Sequence, residues 1–287
     1  MNPDDYCQNK AAPPGSSHYY SLMTLPEDKR RAVTALYAFC HEVQEIPVEC
    51  QDPGVARTKL QWWRDEVQRL FKGQPRHPAC QGLAAAVPDH GLAREHLVEI
   101  IDGVDMDVDR FSYPTFQDLA LYCHRVSSMG CLISAELLGI DDRRTLRYAH
   151  DLGTALQLTR IVRNIRRDGA RGRIYLPLDE LNDYGVPPED LMAGRGSDNA
   201  RRLIEHQVRR AHEYYDAALE KLPETDRYGQ LSGIVLAELR RATLREIEAD
   251  GCRVWDRRIS LTPVRKLWIA WRTRRRERRR KKRGAAA

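Results

Sequence analysis

The stretch that decides the fold is QLTRIVRNIRRDGARGRIYLP, residues 157–177. Read as a helix, it places four polar side chains at spacings of three and four residues, on one face. These are Gln157, Arg160, Asn164 and Asp168. Gly169 and then Pro177 end the helix and turn the chain. The pattern predicts a helix that presents amides, a guanidinium and a carboxylate to a shared polar site.

Apolar residues recur at helical spacing along most of the remaining chain. Further helices are predicted from Pro26 onward, and over 55–71, 93–109, 115–138, 143–168, 200–222 and 229–250. No strand is predicted, because no stretch alternates apolar and polar residues for long. The pattern indicates an all-α protein with one domain over 18–271, a flexible lead-in over 1–17 and a disordered basic tail over 272–287.

Composition fits a globular protein of the cytoplasm. The chain has 287 residues, of which 42% are hydrophobic and 31% charged. No run approaches the roughly 18 apolar residues of a membrane span, and the N-terminus lacks the basic and apolar regions of a signal peptide. Its seven cysteines are scattered and form no CxxC pair, so we expect reduced, packed thiols rather than a zinc site or disulfides.

The formal net charge of +6 is concentrated in the tail. Ten Lys/Arg and one Glu lie between Arg272 and Arg283, and Trp268, Ile269 and Trp271 precede them. This combination suits an anionic membrane surface contacted through residues 268–283, at the inner face of the membrane. A solvated tail without a partner is the other interpretation. Nucleic acid is not expected, because no signature of a nucleic-acid-binding fold accompanies the charge.

Three more segments carry a resemblance to a known family. They are SSHYYSLMTLPEDKRRAVTALYAFCHEV at 16–43, LYCHRVSSMGCLISAELLG at 121–139 and IEADGCRVWDRRISLTPVRKLWIAW at 247–271. With 157–177, they make residues 5–271 resemble the squalene/phytoene synthase family, and the last segment resembles the bacterial presqualene diphosphate synthases. The resemblance implies an isoprenoid-synthase-type helical bundle around a central cavity. It also implies head-to-head condensation of two farnesyl diphosphates, as in squalene and hopanoid synthesis, with Mg²⁺ as cofactor.

The chain departs from the family where the metal ligands are expected. In the first aspartate-rich motif, Gln44 and Val48 occupy ligand positions, and Glu45 is the carboxylate that remains. Pro47 is predicted to interrupt the helix, because it lacks an N–H and clashes with the preceding turn. In the second motif, Arg160 stands at the family's asparagine position and Asn164 at its first aspartate.

The resemblance implies a role for each matching position. The metal candidates are Glu45, Asn164 and Asp168, and the diphosphate candidates are Gln157, Arg160, Arg163 and Arg171. His124 matches a family tyrosine near the reacting carbons and is the catalytic candidate. No GxGxxG fingerprint is present, so no NADPH site is expected.

Three interpretations stay open. The protein could be an enzyme that works with fewer metals, a catalytically silent member that binds farnesyl diphosphate, another prenyl lipid or a partner subunit, or a protein dominated by its tail. A further acidic run, Asp102, Asp105 and Asp109, is interpreted as a solvated or arginine-paired helix face rather than a metal site. The oligomeric state is not indicated.

Overall fold

A computed structural model describes residues 2–50 and 52–284. The helices are α1 (Pro3–Ala11), α2 (Ser17–Leu22), α3 (Glu27–Glu49), α4 (Pro53–Phe71), α5 (Pro78–Leu83), α6 (Ala86–His90), α7 (Arg94–Asp109), α8 (Phe116–Cys123), a π-helical turn (His124–Ser128), α9 (Met129–Leu138), α10 (Arg144–Gly169), α11 (Leu178–Asp183), α12 (Pro188–Met192), α13 (Asp198–Lys221), α14 (Glu224–Arg227), α15 (Leu231–Ala249) and α16 (Pro263–Gly284). Two short strands are β1 (Ser112–Tyr113) and β2 (Ile174–Pro177).

The prediction of an all-α bundle is confirmed, and helix amphipathicity explains the arrangement. Helix α10 packs along α13, and α3 packs against α1, α5 and α9. Along α13 the buried residues recur every three or four positions, as Leu203, Ile204, Val208, Ala211 and Tyr215 do. No helix in the described ranges is both long enough and apolar enough to cross a bilayer.

The two strands correct the prediction that strands are absent. They pair in parallel, with Ser112 opposite Ile174 and Tyr113 opposite Pro177. The pair ties the segment after α7 to the segment after α10. Strands of two and four residues are too short to show the alternation on which the sequence argument depended.

Pro47 does not interrupt α3, so that prediction is wrong. The helix continues to Glu49, and the backbone N–H of Cys50 still donates to the carbonyl of Ile46 at 3.0 Å. Pro47 lies in the last turn of the helix, where its missing N–H removes one hydrogen bond. Gln44, Glu45 and Val48 therefore stay on one continuous helix.

The structure describes a helix within each of two segments for which the sequence predicted a flexible lead-in and a disordered tail. Residues Pro3–Ala11 of the expected lead-in form α1, whose Cys7 and Ala11 are buried. The expected disordered tail is helical to Gly284, and α16 buries Ala270, Thr273 and Glu277. Composition alone suggested disorder there, because the buried residues of this helix are few and are separated by many exposed arginines.

The π-helical turn is held between two glycines. A Cβ atom on Gly153 of α10 would lie 2.3 Å from the Cα of Ser128, and one on Gly103 of α7 would lie 2.4 Å from the Cβ of Arg125. Only glycine permits this close approach of α7 and α10 to the turn. The turn thereby places the carbonyl of Val126 beside α3.

Candidate functional site

A cavity of about 340 Å³ lies between α3, the π-helical turn with α9, α10 and α15. Its lining includes most of the residues that the sequence predicted for the site. The predicted residues that line it are Gln44, Glu45, Val48, Gln157, Arg160, Arg163, Asn164 and Arg171. The first and second motifs therefore face each other, as the resemblance implied.

On two helices the lining changes from apolar to cationic along the chain: Leu236 precedes Arg240 on α15, and Leu156 precedes the arginines on α10. On α3, Tyr37 and Cys40 precede the carboxylate of Glu45. Val126, Gly130 and Cys131 add to the less polar wall. The cavity thus has one end suited to hydrocarbon and one suited to an anion.

Six arginines form the cationic end, which we call the arginine cluster. They are Arg160, Arg163, Arg167, Arg171, Arg240 and Arg258. Arg167 lies 3.2 Å from the carboxylate of Asp168. Among the side chains that the structure describes, those of residues 89 and 90 being left out, none of the other five makes an ion pair with a carboxylate. Five guanidinium groups therefore lack a counter-ion.

Burial and neighbouring like charges lower the pKa of two of these groups, Arg163 and Arg240. Burial, together with Arg240 and Arg258, lowers the pKa of Arg163 to about 8. Burial and Arg258 also lower the pKa of Arg240. Burial lowers the pKa of two histidines in the same cavity, His18 and His41, so both imidazoles are neutral at pH 7.

Glu45 is the one carboxylate among the described residues that line this cavity, and it is already paired. The Nζ of Lys10, from α1, lies 2.6 Å from Glu45 and 2.9 Å from Glu42. Tyr6, also on α1, donates a hydrogen bond to Glu42. The helix that the sequence assigned to a lead-in thus supplies a cation and a hydrogen-bond donor to the carboxylates of the first motif.

Gln44 has a structural partner. Its Nε2 donates to the carbonyl oxygen of Val126 at 2.7 Å, which ties α3 to the π-helical turn. The carboxylate that the family has at this position cannot donate this bond. Gln157 and Asn164 are both 3% exposed, and each has one polar side-chain atom without a hydrogen-bond partner. Such buried orphan atoms in a cavity wall are available to a ligand.

Two predicted residues lie outside this cavity. Asp168 is buried beside Ile174 and Tyr175 of β2, on the flank of α10. His124 lies next to His150, with ring centroids 5.2 Å apart, and does not line the cavity. Burial, with His150 nearby, lowers the pKa of His124.

The acidic run on α7 has the structural role that was favoured. Arg64 contacts Asp102 at 2.6 Å and Asp105 at 2.7 Å, and Arg57 pairs with Asp109. The sequence argument missed Asp107, although it lies in the same run.

Asp107 is buried and accepts hydrogen bonds from Tyr175 at 2.6 Å and Tyr122 at 3.1 Å, while Arg173 lies 3.4 Å away. Burial raises its pKa. It connects α7, α8 and β2. A helical wheel could have separated Asp107 from its neighbours, because it falls among the apolar residues of α7.

The donors present do not fit the Mg²⁺ that the family resemblance implies. Mg²⁺ prefers several hard oxygen ligands in octahedral geometry. Within the described ranges, no group of three or more His, Cys, Asp or Glu side chains could hold a metal ion. The cavity instead offers one paired carboxylate and an excess of cations.

The comparisons with known proteins agree with this architecture. The squalene/phytoene synthase family profile matches residues 11–265. A 15-cis-phytoene synthase of Synechocystis is 30% identical over 282 residues, which covers 93% of this chain and 84% of that protein. Phytoene synthase 1 of Arabidopsis thaliana is 29% identical, and the chain spans 64% of its length.

Solved structures give the same result. The squalene synthase HpnC from Alicyclobacillus acidocaldarius matches with a TM-score of 0.72 and 25% identity, over 87% of this chain and 94% of that one. A dehydrosqualene synthase solved with a ligand matches with a TM-score of 0.80 and 21% identity, over 94% and 95% of the two chains. The chain belongs to the squalene/phytoene synthase family.

Proposed function

We propose that this protein binds a prenyl diphosphate, farnesyl diphosphate being the first to test. The diphosphate would lie in the arginine cluster and the prenyl chain along the wall that contains Leu156 and Leu236. The observation that carries the proposal is the set of five guanidinium groups without counter-ions at one end of a cavity whose other end is apolar. Arginine binds phosphate oxygens through paired hydrogen bonds, which suits this ligand.

Head-to-head condensation of two farnesyl diphosphates to presqualene diphosphate is the finer proposal. Family membership and the activities for which the relatives are named, phytoene and squalene synthesis, support this reaction class. Ground-state binding of the diphosphate does not by itself accelerate its ionisation, however, and carboxylate ligands for metal are few. We therefore place prenyl-diphosphate binding first, with condensation slow or absent, as expected for a catalytically silent family member.

Calorimetric titration tests the binding proposal. Farnesyl diphosphate should bind, whereas farnesol, which lacks the anion, should bind at least about tenfold more weakly. Arg163→Gln should weaken farnesyl diphosphate binding by a similar factor. Arg166→Gln is the matched control, because Arg166 lies on the same helix, is exposed and contacts the Asp256 carbonyl outside the cavity. Equal affinity for farnesol and its diphosphate would overturn the proposal.

Pyrophosphate release from farnesyl diphosphate separates the two activities. Release at the background rate by a protein that binds the ligand supports the silent member. Release well above background, with a prenyl product of doubled chain length, supports condensation instead. Arg163→Gln again serves as the internal test, since contaminating enzyme would not respond to it.

A second proposal concerns α16, which we infer contacts an anionic membrane surface. Its outward face exposes Val264, Leu267, Trp268 and Trp271, each by half or more. Arg272 stacks over Trp268 and Arg275 over Trp271, with 5.2 and 5.3 Å to the ring centroids. Tryptophan and leucine beside arginine on one helix face is the composition of interfacial helices.

The inner face of α16 fixes which side is presented. Arg227 pairs with the buried Glu277, and Ala270 packs with Leu231, Val235 and Leu239 of α15. The aromatic and basic residues therefore point away from the body of the protein. Ligands with long prenyl chains partition into bilayers, so a membrane position would bring protein and ligand together.

Vesicle flotation tests this surface with point variants, because removing residues 272–287 would also remove the buried Glu277. Wild-type protein should float with phosphatidylglycerol-containing vesicles and less with pure phosphatidylcholine, and added salt should weaken flotation. Trp268→Ser with Trp271→Ser should abolish it, while Trp62→Ser, an exposed tryptophan on α4, should not. Flotation unaffected by the paired change, or binding to nucleic acid alone, would refute the membrane assignment.

A further inference from the structure

We infer that the arginine cluster receives its diphosphate as the metal-free anion, with guanidinium groups in the place of Mg²⁺ and Lys10 holding the remaining carboxylate. The inference rests on the proposed function, in which the ligand is a diphosphate. It assigns to α1 a part in choosing between two forms of that ligand, the free anion and its Mg²⁺ complex.

The cavity offers few oxygen atoms that could bind a metal ion. Glu45 is the lining carboxylate, and three amides, Gln44, Gln157 and Asn164, accompany it. The Gln44 amide is engaged with Val126 at 2.7 Å, and Asp168 lies outside the cavity. One carboxylate and two amides fall short of what a cluster of divalent cations needs from the protein.

Lys10 lies where a metal ion bound to Glu45 would have to lie. Its ammonium group contacts both Glu42 and Glu45, and these contacts raise its pKa despite the burial that opposes them. A metal at Glu45 would have to displace this ammonium group. Lys10 is held in place by α1, which packs on α3 and α5 and buries Cys7 and Ala11.

The electrostatic potential at the arginine cluster is positive. Five guanidinium groups without counter-ions repel a divalent cation and attract a diphosphate. Among the described side chains the cluster has one carboxylate partner, Asp168 beside Arg167, so it is short of negative charge. A bare diphosphate supplies that charge, whereas its Mg²⁺ complex carries less of it. Mg²⁺ should therefore weaken binding rather than support it.

Titration of inorganic pyrophosphate and of farnesyl diphosphate, in EDTA and in millimolar Mg²⁺, tests this inference. Both ligands should bind in EDTA, and Mg²⁺ should weaken each by about threefold or more. Binding that requires Mg²⁺ would overturn the inference and leave the proposed function standing. Absence of binding in both buffers would overturn the proposed function and the inference together.

Paramagnetic resonance of Mn²⁺ gives a readout independent of activity. Without pyrophosphate, which itself chelates Mn²⁺, wild-type protein should leave the free Mn²⁺ signal as it is in buffer. Lys10→Gln, which leaves Glu42 and Glu45 without a cation, should create Mn²⁺ binding, whereas Lys59→Gln on the exposed side of α4 should not. Mn²⁺ bound by the wild type, or no Mn²⁺ bound by the Lys10→Gln protein, would contradict the role assigned to Lys10.

Discussion

The Nε of Arg227 lies 2.8 Å from a carboxylate oxygen of Glu277, and these side chains are 10% and 2% exposed. This buried ion pair joins the end of α14 to the middle of α16, fifty residues later in the chain. Arg276 adds a second contact to Glu277 at 3.0 Å. The C-terminal helix is thereby part of the folded body rather than an appendage.

Removing one partner of this pair should be costly. Glu277→Ala leaves the Arg227 charge buried, and we expect the free energy of unfolding to fall by about 3 kcal/mol. Glu224→Ala is the control, because Glu224 of α14 and Arg280 of α16 form an exposed pair between the same two helices, for which we expect a loss under about 1 kcal/mol. Urea unfolding followed by circular dichroism measures both, and similar losses would contradict the assignment.

Gln44 gives a second prediction. Gln44→Met keeps the length of the side chain but removes the donor to the carbonyl of Val126. A buried carbonyl without its partner costs about 1–3 kcal/mol of unfolding free energy. Gln68→Met, at an exposed position of α4, should change stability by less than about 0.5 kcal/mol. Thermal unfolding distinguishes the two, and an unchanged Gln44→Met protein would show that the bond contributes little.

The pH dependence of ligand binding follows from Arg163. Its pKa of about 8 in the empty cavity should rise when a diphosphate binds, because the anion stabilises the charged form. The contribution of Arg163 to affinity should thus be nearly complete at pH 7 and fall above pH 8, by about tenfold at pH 9. Calorimetry of pyrophosphate binding checks this, and Arg163→Gln should flatten the profile. A decline that persists in that variant would place the titration elsewhere.

Gly153 supplies a test of the packing around the π-helical turn. Gly153→Ala places a Cβ 2.3 Å from the Cα of Ser128, so α10 and the turn must separate, at a cost of about 1–3 kcal/mol or more. Gly130→Ala is the milder control, since its Cβ would lie 3.4 Å from the Sγ of Cys40. Comparable stability of the two variants would mean that the turn adapts without cost.

The sequence predicted the helices and the main cavity wall because both depend on local periodicity. The spacing of Gln157, Arg160 and Asn164 placed them together, and all three line the cavity. Asp168 shares that spacing but lies one turn further along. There the cavity-facing stripe has moved toward Arg163, Arg167 and Arg171, so Asp168 falls on the flank beside β2.

The parts that sequence could not supply depend on contacts between distant residues. Lys10 reaches Glu45 across 35 positions, and Arg240 meets Arg163 from another helix. Neither spacing leaves a local signal. The prediction about Pro47 failed for a different reason. Proline breaks a helix when it lies in the interior, whereas in the last turn it removes one hydrogen bond and the helix can continue to its end.

The unpaired arginines have a consequence for the protein without its ligand. Mutual repulsion of these like charges opposes the compact state and lowers the free energy of unfolding of the ligand-free protein. A bound anion would restore that stability. Occupancy and folding are therefore coupled, and an anion that binds the arginine cluster should raise the free energy of unfolding.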